Sequence, residues 1–246
     1  MTRIAAVGDL HVGPDSVGRV SAGLTHVAER ADVLLLAGDL TRHGATGEAE
    51  LVAGELAAVA LPIVAVLGNH DHHEGEPEQV AAVLREAGVT VLDGTATVVD
   101  TGGSTLGIAG AKGFGGGFAG ACATAFGEPA MKAFVAEARA EATRLHAALS
   151  GLHGRCDRTV ALLHYSPVEE TLRGERLELY PFLGSYLLAE AVDTAGADLI
   201  VHGHAHHGTE RGVTPGGVRV RNVAQPVIGH AYRVFDLRDP AGSRVA

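Results

Sequence analysis

The stretch Val33–Gly44, VLLLAGDLTRHG, constrains this chain more than any other. An apolar run meets Gly-Asp without alternation, the pattern of a buried parallel strand whose carboxyl tip delivers a carboxylate. In open α/β sheets, chemistry gathers in the crevice at such tips. Three further apolar runs end alike, in GDLH around Asp9, GNHD around Asn69 and GHAH around His204. This pattern predicts an α/β protein whose strand tips converge on Asp39.

With 246 residues, 46% of them hydrophobic, the chain has material for one large α/β domain. A formal net charge of −10 argues against a protein that coats nucleic acid or an anionic membrane. It does not exclude a small anionic substrate, because a metal site reverses the field locally. Cys122 and Cys156 lie far apart and form neither a disulfide framework nor a CxxC zinc pattern, which fits a reducing cytoplasm. The apolar run before Gly8-Asp9 has only a strand's length, so no signal peptide is read there, and no stretch is long enough to span a bilayer.

Along the chain, three β-α units occupy the first third. Strands are predicted at Ile4–Val7, Val33–Leu36 and Ile63–Leu67. One helix carries Val17, Val20, Leu24, Val27 and Ala31 behind Asp15 and Ser16 as caps; a second carries Ala49, Val52, Leu56 and Val59. Pro77 suits a third helix start and Gly88 its C-terminal cap. The rhythm then changes to short strands at Val89–Leu92, Thr95–Asp100 and Thr105–Ala109, with hairpin turns expected at Asp93-Gly94 and Gly102-Gly103. The Gly-rich segment 110–128, centred on GFGGGF, is too irregular for regular structure and suits a flap. A helix over about 129–150, a strand Thr159–Leu163 ending at His164, a helix Ser185–Ala195 and a strand Asp198–Val201 follow. The tail reads as antiparallel strands at Val218–Val223 and Tyr232–Leu237, with Arg219 and Arg221 on a solvated face. No linker or repeat divides the chain, so one domain over 1–246 is expected.

The chemistry lies at the strand tips. Asp9 and His11, two apart past a strand, turn to the same side of extended backbone, and His204 and His206 repeat the device. Asp39 and Asn69 each follow a glycine that lets the backbone turn sharply, and His164 follows another apolar run. Two carboxylates, one amide oxygen and four imidazoles suit manganese, iron or zinc better than magnesium.

The ordered set DLH, GDL, GNHD, H and GHAH, spanning Asp9 to His206, resembles the calcineurin-like metallophosphoesterase superfamily. The resemblance implies two mixed β-sheets packed as a sandwich with helices outside. It implies that Asp9, His11 and His206 hold one metal, Asn69, His164 and His204 a second, and Asp39 bridges them. The cofactors would be two divalent or mixed-valence transition metal ions. With Asp9, Asp39 and a bridging hydroxide they sum to about +1, a charge that attracts phosphate. The resemblance makes His70 the general acid for the leaving oxygen and Asp71 the group that orients its ring. The superfamily's protein phosphatases carry GDxxDRG and GNHE, whereas GDLTRHG and GNHD stand here. That turns the expectation toward small phosphorylated substrates, phosphodiesters ahead of monoesters. The alternative is a non-catalytic scaffold of the same fold, but such members lose ligands that this chain retains.

Substrate contacts are read at Arg42 and His43, with Arg42 otherwise pairing with an acid or capping carbonyls. Lys112 is placed to meet an anion, and Phe114, Phe118 or Phe126 to stack on a substrate ring, with packing on the body as the competing reading. GFGGGF has neither the Lys-Ser/Thr of a P-loop nor a dinucleotide fingerprint. His72, His73, His202 and His207 are read as solvated neighbours or hydrogen-bonding support for the ligands, and His26, His146 and His153 as surface residues.

Overall fold

The structure, a computed structural model, describes residues 2–237. Along the chain come β1 (Arg3–Val7), α1 (Arg19–Leu24), α2 (Val27–Arg30), β2 (Val33–Ala37), α3 (Thr46–Leu56), β3 (Ile63–Val66), α4 (Pro77–Glu86) and β4 (Thr90–Leu92). Next are β5 (Thr95–Asp100), β6 (Thr105–Ala111), β7 (Gly117–Phe118), β8 (Ala121–Cys122), α5 (Pro129–Ser150) and β9 (Arg158–Leu163). The last third holds α6 (Tyr180–Leu183), α7 (Tyr186–Ala195), β10 (Leu199–His202), β11 (Arg211–Val213), β12 (Arg219–Asn222), α8 (Gln225–Ile228) and β13 (Arg233–Asp236).

Two mixed sheets form, in the orders β13-β1-β2-β3-β4 and β11-β12-β10-β9-β6-β5. The second shows why its apolar runs are continuous. Leu106, Ile108, Val160, Leu162, Leu199 and Val201 join the core shared with the first sheet. Their neighbours Ala109, Ala111, Ala161, Leu163 and Ile200 face the other way, onto Leu145 and Leu149 of α5 and Leu188 and Val192 of α7. Both faces of each strand are therefore dry, and alternation disappears. Helices α1, α3 and α4 cover the first sheet with Val20, Leu24, Ala49, Val52, Val80 and Leu84. Strands β1, β2 and β3 are mutually parallel, as are β6, β9 and β10, so their carboxyl tips gather along one rim.

Several expectations need correction. The helix read across residues 17–31 is two short helices, broken where the Thr25 hydroxyl bonds back to the carbonyls of Ser21 and Ala22. Neither Asp15 nor Ser16 caps α1: Asp15 pairs with Arg42, Ser16 closes a turn on Gly13, and the amides of Gly18 and Ser21 at the start of α1 donate to Glu55 of α3. Gly102-Gly103 does turn the β5-β6 hairpin, but at Asp93-Gly94 the chain crosses from the first sheet to the second. The Gly-rich segment contains regular structure after all, the β7-β8 ribbon. In the tail, β13 is antiparallel to β1, but β12 runs parallel to β10 because β11 first carries the chain back down the sheet edge. Arg221 is buried over the Phe235 ring rather than solvated, since its side of β12 faces the first sheet.

Among the described residues, no helix is long and apolar enough to cross a membrane.

Candidate metal centre

At the gathered tips, donor atoms of Asp9, His11, Asp39 and His206 lie within 4.8 Å of one another, and so do those of Asp39, His164 and His204. Asp39 belongs to both groups. The backbone that delivers these side chains is unusual. Asp9 (φ 60°), His11 (45°), Asp39 (51°) and His204 (69°) are the non-glycine residues at positive φ among the described residues. Each such conformation costs roughly 1–3 kcal/mol and persists only where the surroundings impose it. Asp9 and His11 do turn to one side, but through left-handed backbone and not through the extended backbone that their spacing suggests.

Hydrogen bonds lock the strained loops together. The Asp9 carboxylate accepts from the His204 amide at 3.0 Å and from His206 Nε2 at 2.8 Å. Burial opposes its ionisation, but the His206 bond and the neighbouring imidazoles outweigh this and hold its pKa below the ordinary value. Asp9 in turn raises His206. Burial drives His204 down to about 3, so its imidazole is neutral. Its Nε2 donates to the Phe182 carbonyl at 3.3 Å, leaving Nδ1 as the lone-pair nitrogen. The glycines serve close approach. A Cβ at Gly38 would lie 2.5 Å from His164 Nδ1, and at Gly68 or Gly203 it would strike the carboxylates of Asp39 or Asp9.

The donor chemistry fits cations. His164 Nδ1 donates to the Ala37 carbonyl at 2.8 Å, which leaves Nε2 as the nitrogen turned to the centre. That nitrogen faces Asn69 Oδ1 at 2.9 Å and Asp39 Oδ1 at 3.3 Å, so three acceptors converge where a positive ion belongs. His11 Nε2 and His206 Nε2 lie 3.5 Å apart in the other donor group.

His70 stands at the edge of this centre. Its amide donates to Asp39 Oδ1 at 2.8 Å, and its Nε2 lies 4.0 Å from Asp39 Oδ2. Its Nδ1 donates to the Arg42 carbonyl at 2.6 Å. Asp71 therefore does not orient the ring. Instead the buried Asp71 accepts from the amides of Leu40 (3.2 Å), Thr41 (2.8 Å) and Gly68 (2.7 Å) and from the Thr41 hydroxyl (2.6 Å). It ties the loop after β2 to the loop after β3. No sequence signal marks the Arg42 carbonyl, since every residue has one.

The predicted substrate contacts are mostly engaged elsewhere. The Arg42 guanidinium pairs with Asp15, and His43 bonds Glu48 through its amide at 2.7 Å and Nδ1 at 3.3 Å. Lys112 Nζ donates to the Gly113 carbonyl at 3.0 Å and lies over the rings of Phe114 and Tyr165. Phe118 is 4% exposed in a cluster with Leu172 and Ala205, so packing on the body prevails over stacking there. His202 is not solvated: it is fully buried, with Nε2 2.9 Å from Thr171 Oγ1.

The sequence profile described as calcineurin-like phosphoesterase matches residues 2–208, which contain every strand tip of this centre. The chain belongs to this family. No curated relative matches it. Among solved structures, this calcineurin-like phosphoesterase is similar to a phosphopantetheinyl hydrolase, PptH, from Mycobacterium tuberculosis (17% identity, TM-score 0.68, 99% of each chain covered). It is also similar to the protein TT1561 of Thermus thermophilus (19% identity, TM-score 0.58, 96% of this chain and 95% of that one). At these identities the likeness concerns the fold, and it confirms two large mixed sheets flanked by helices.

Proposed function

We propose that the protein is a dinuclear metal-dependent hydrolase of small phosphoesters, phosphodiesters ahead of monoesters. The observation that carries this reading is the sharing of Asp39 between two donor groups. Asp9, His11 and His206 would hold one ion, Asn69, His164 and His204 the other, and Asp39 both. When bound, two divalent ions supply an activated water and a positive clamp for in-line displacement at phosphorus. The chain's own residues do the rest. The Ala37 and Phe182 carbonyls fix the tautomers of His164 and His204, so each presents a lone pair. The Arg42 carbonyl fixes His70 with Nε2 toward the centre, where a proton on that nitrogen passes to the leaving oxygen.

The test is hydrolysis of bis-nitrophenyl phosphate, nitrophenyl phosphate, cyclic nucleotides and single-stranded oligonucleotides with manganese added, beside elemental analysis of the same sample. Two metals per chain with turnover of at least one diester is the expected result. Two metals with no turnover of any substrate points to a non-catalytic scaffold, and no metal removes the reading.

A further inference from the structure

Beside the centre, apolar side chains stand in solvent. Phe182 is 60% exposed, Leu179 42% and Met131 39%. Leu179 just before α6 and Phe182 within it are three apart, as are Met131 and Phe134 on α5, so each pair shares a face. From Phe182 a row of rings runs inward. Phe182 meets Phe134 edge-on at 6.4 Å between centroids, Phe134 meets Phe114 at 5.1 Å, Phe114 meets Tyr165 at 6.0 Å, and Tyr165 lies 4.3 Å from the ring of His204. Exposure falls along this row to 8% at Tyr165.

The GFGGGF segment makes the row possible. A Cβ at Gly115 would lie 2.6 Å from the Pro181 carbonyl oxygen and 3.2 Å from both Phe134 Cζ and the Phe182 Cα. Only a bare backbone lets the rings of α5 and α6 close over it. The amides of Gly116 and Gly117 then donate to the carbonyls of Pro181 and Gly184, at 2.7 and 2.9 Å, and fasten α6 in place. The same α6 supplies the Phe182 carbonyl that His204 donates to.

We propose that Phe182, Phe134 and Phe114 form a shelf that receives an apolar or aromatic ester substituent of the substrate, with Phe182 as a specificity-determining residue. This rests on the phosphoesterase reading above. A surface for a protein partner has no reason to lead, ring by ring, to an imidazole of the metal centre; a substrate shelf does. Exposed apolar surface of this kind marks ligand grooves as well as interfaces, and the continuity with His204 decides for the first.

Two diesters with one leaving group separate the effects: methyl 4-nitrophenyl phosphate and phenyl 4-nitrophenyl phosphate. The manganese-loaded wild type is expected to prefer the phenyl ester by about tenfold in kcat/KM, mainly through KM. Phe182→Ala should abolish the preference, Phe182→Leu should keep part of it, and Val17→Ala, at an exposed apolar position off the shelf, should leave it alone. An unchanged preference in Phe182→Ala overturns the shelf. If the wild type hydrolyses neither ester, calorimetry with phenylphosphonate and methylphosphonate decides. Tighter phenyl binding that Phe182→Ala removes upholds the shelf, while the phosphoesterase reading stands or falls on its own substrate panel, and equal binding overturns the shelf. A wild-type dimer that Phe182→Ala dissociates in sedimentation assigns the patch to a second copy and also overturns it.

Discussion

Asp39 and His70 are joined through the backbone of His70, not its ring: the His70 amide donates to Asp39 Oδ1 at 2.8 Å, while the imidazole is held by the carbonyl of Arg42. The residue proposed to protonate the leaving group and the carboxylate proposed to bridge the metals are thus fixed to each other whatever side chain stands at position 70. His70→Ala should accordingly retain both metals by elemental analysis. General acid catalysis contributes roughly 10²–10⁴-fold, and leaving groups that are already good anions need little of it. The variant is expected to lose about 10²-fold or more in kcat on alkyl esters and far less on nitrophenyl esters. Equal losses on both would take His70 out of the role.

Asp71 makes a different prediction from the one its place beside His70 suggests. It satisfies amides from two loops, and its hydrogen bonds go to Leu40, Thr41 and Gly68 and not to the His70 ring. An asparagine there turns an NH2 group toward a backbone donor and leaves buried groups unpaired, at about 1–3 kcal/mol. Asp71→Asn should lower the melting temperature of the metal-free protein and weaken metal binding by about 10–100-fold, as loss of support behind ligands does. A variant with wild-type stability and metal content but the leaving-group dependence of His70→Ala would restore Asp71 to orienting the ring.

Asp39 is the residue common to both donor groups, whereas His206 belongs to one. Loading with manganese followed by gel filtration and elemental analysis separates them. Asp39→Asn should leave well under one metal per chain, and His206→Ala should leave about one, since a site that keeps its ligand count keeps its ion. The same metal content in both variants contradicts a shared carboxylate.

The strand tips were legible because burying a strand on both faces leaves a signature, an unbroken apolar run, and because Asp, His and Asn straight after such runs have few structural uses in common. The parallel order of β1–β3 followed from the βα rhythm. What the sequence concealed was backbone. The left-handed conformations of Asp9, His11, Asp39 and His204 carry only a weak residue signal: Asp and His enter that region more readily than most residues, but the contacts around them decide it. The carbonyls of Ala37, Arg42 and Phe182 that orient imidazoles belong to residues chosen for other reasons. The sheet change at Asp93-Gly94 was hidden because a glycine at positive φ serves a hairpin and a crossover equally.

Glu55 shows the same concealment in the scaffold and gives a pH test. This buried glutamate of α3 accepts from the Ser21 amide at 2.7 Å and from the Gly18 amide, capping α1 from another helix. Burial opposes its ionisation, but those amides and the Ser21 hydroxyl outweigh it, and its pKa lies below the ordinary value of 4.5. A carboxylate with a depressed pKa stabilises the fold fully above its unfolded pKa and loses that contribution as pH falls through the folded value. Glu55→Gln should therefore cost about 1 kcal/mol at pH 7, the worth of a helix cap, or roughly 2–4 °C in melting temperature for a domain of this size. The gap between the two proteins should be constant from neutral pH down to about 4.5 and close below it. A gap that widens on acidification would show that Glu55 is bound in its protonated form and that α1 is capped by something else.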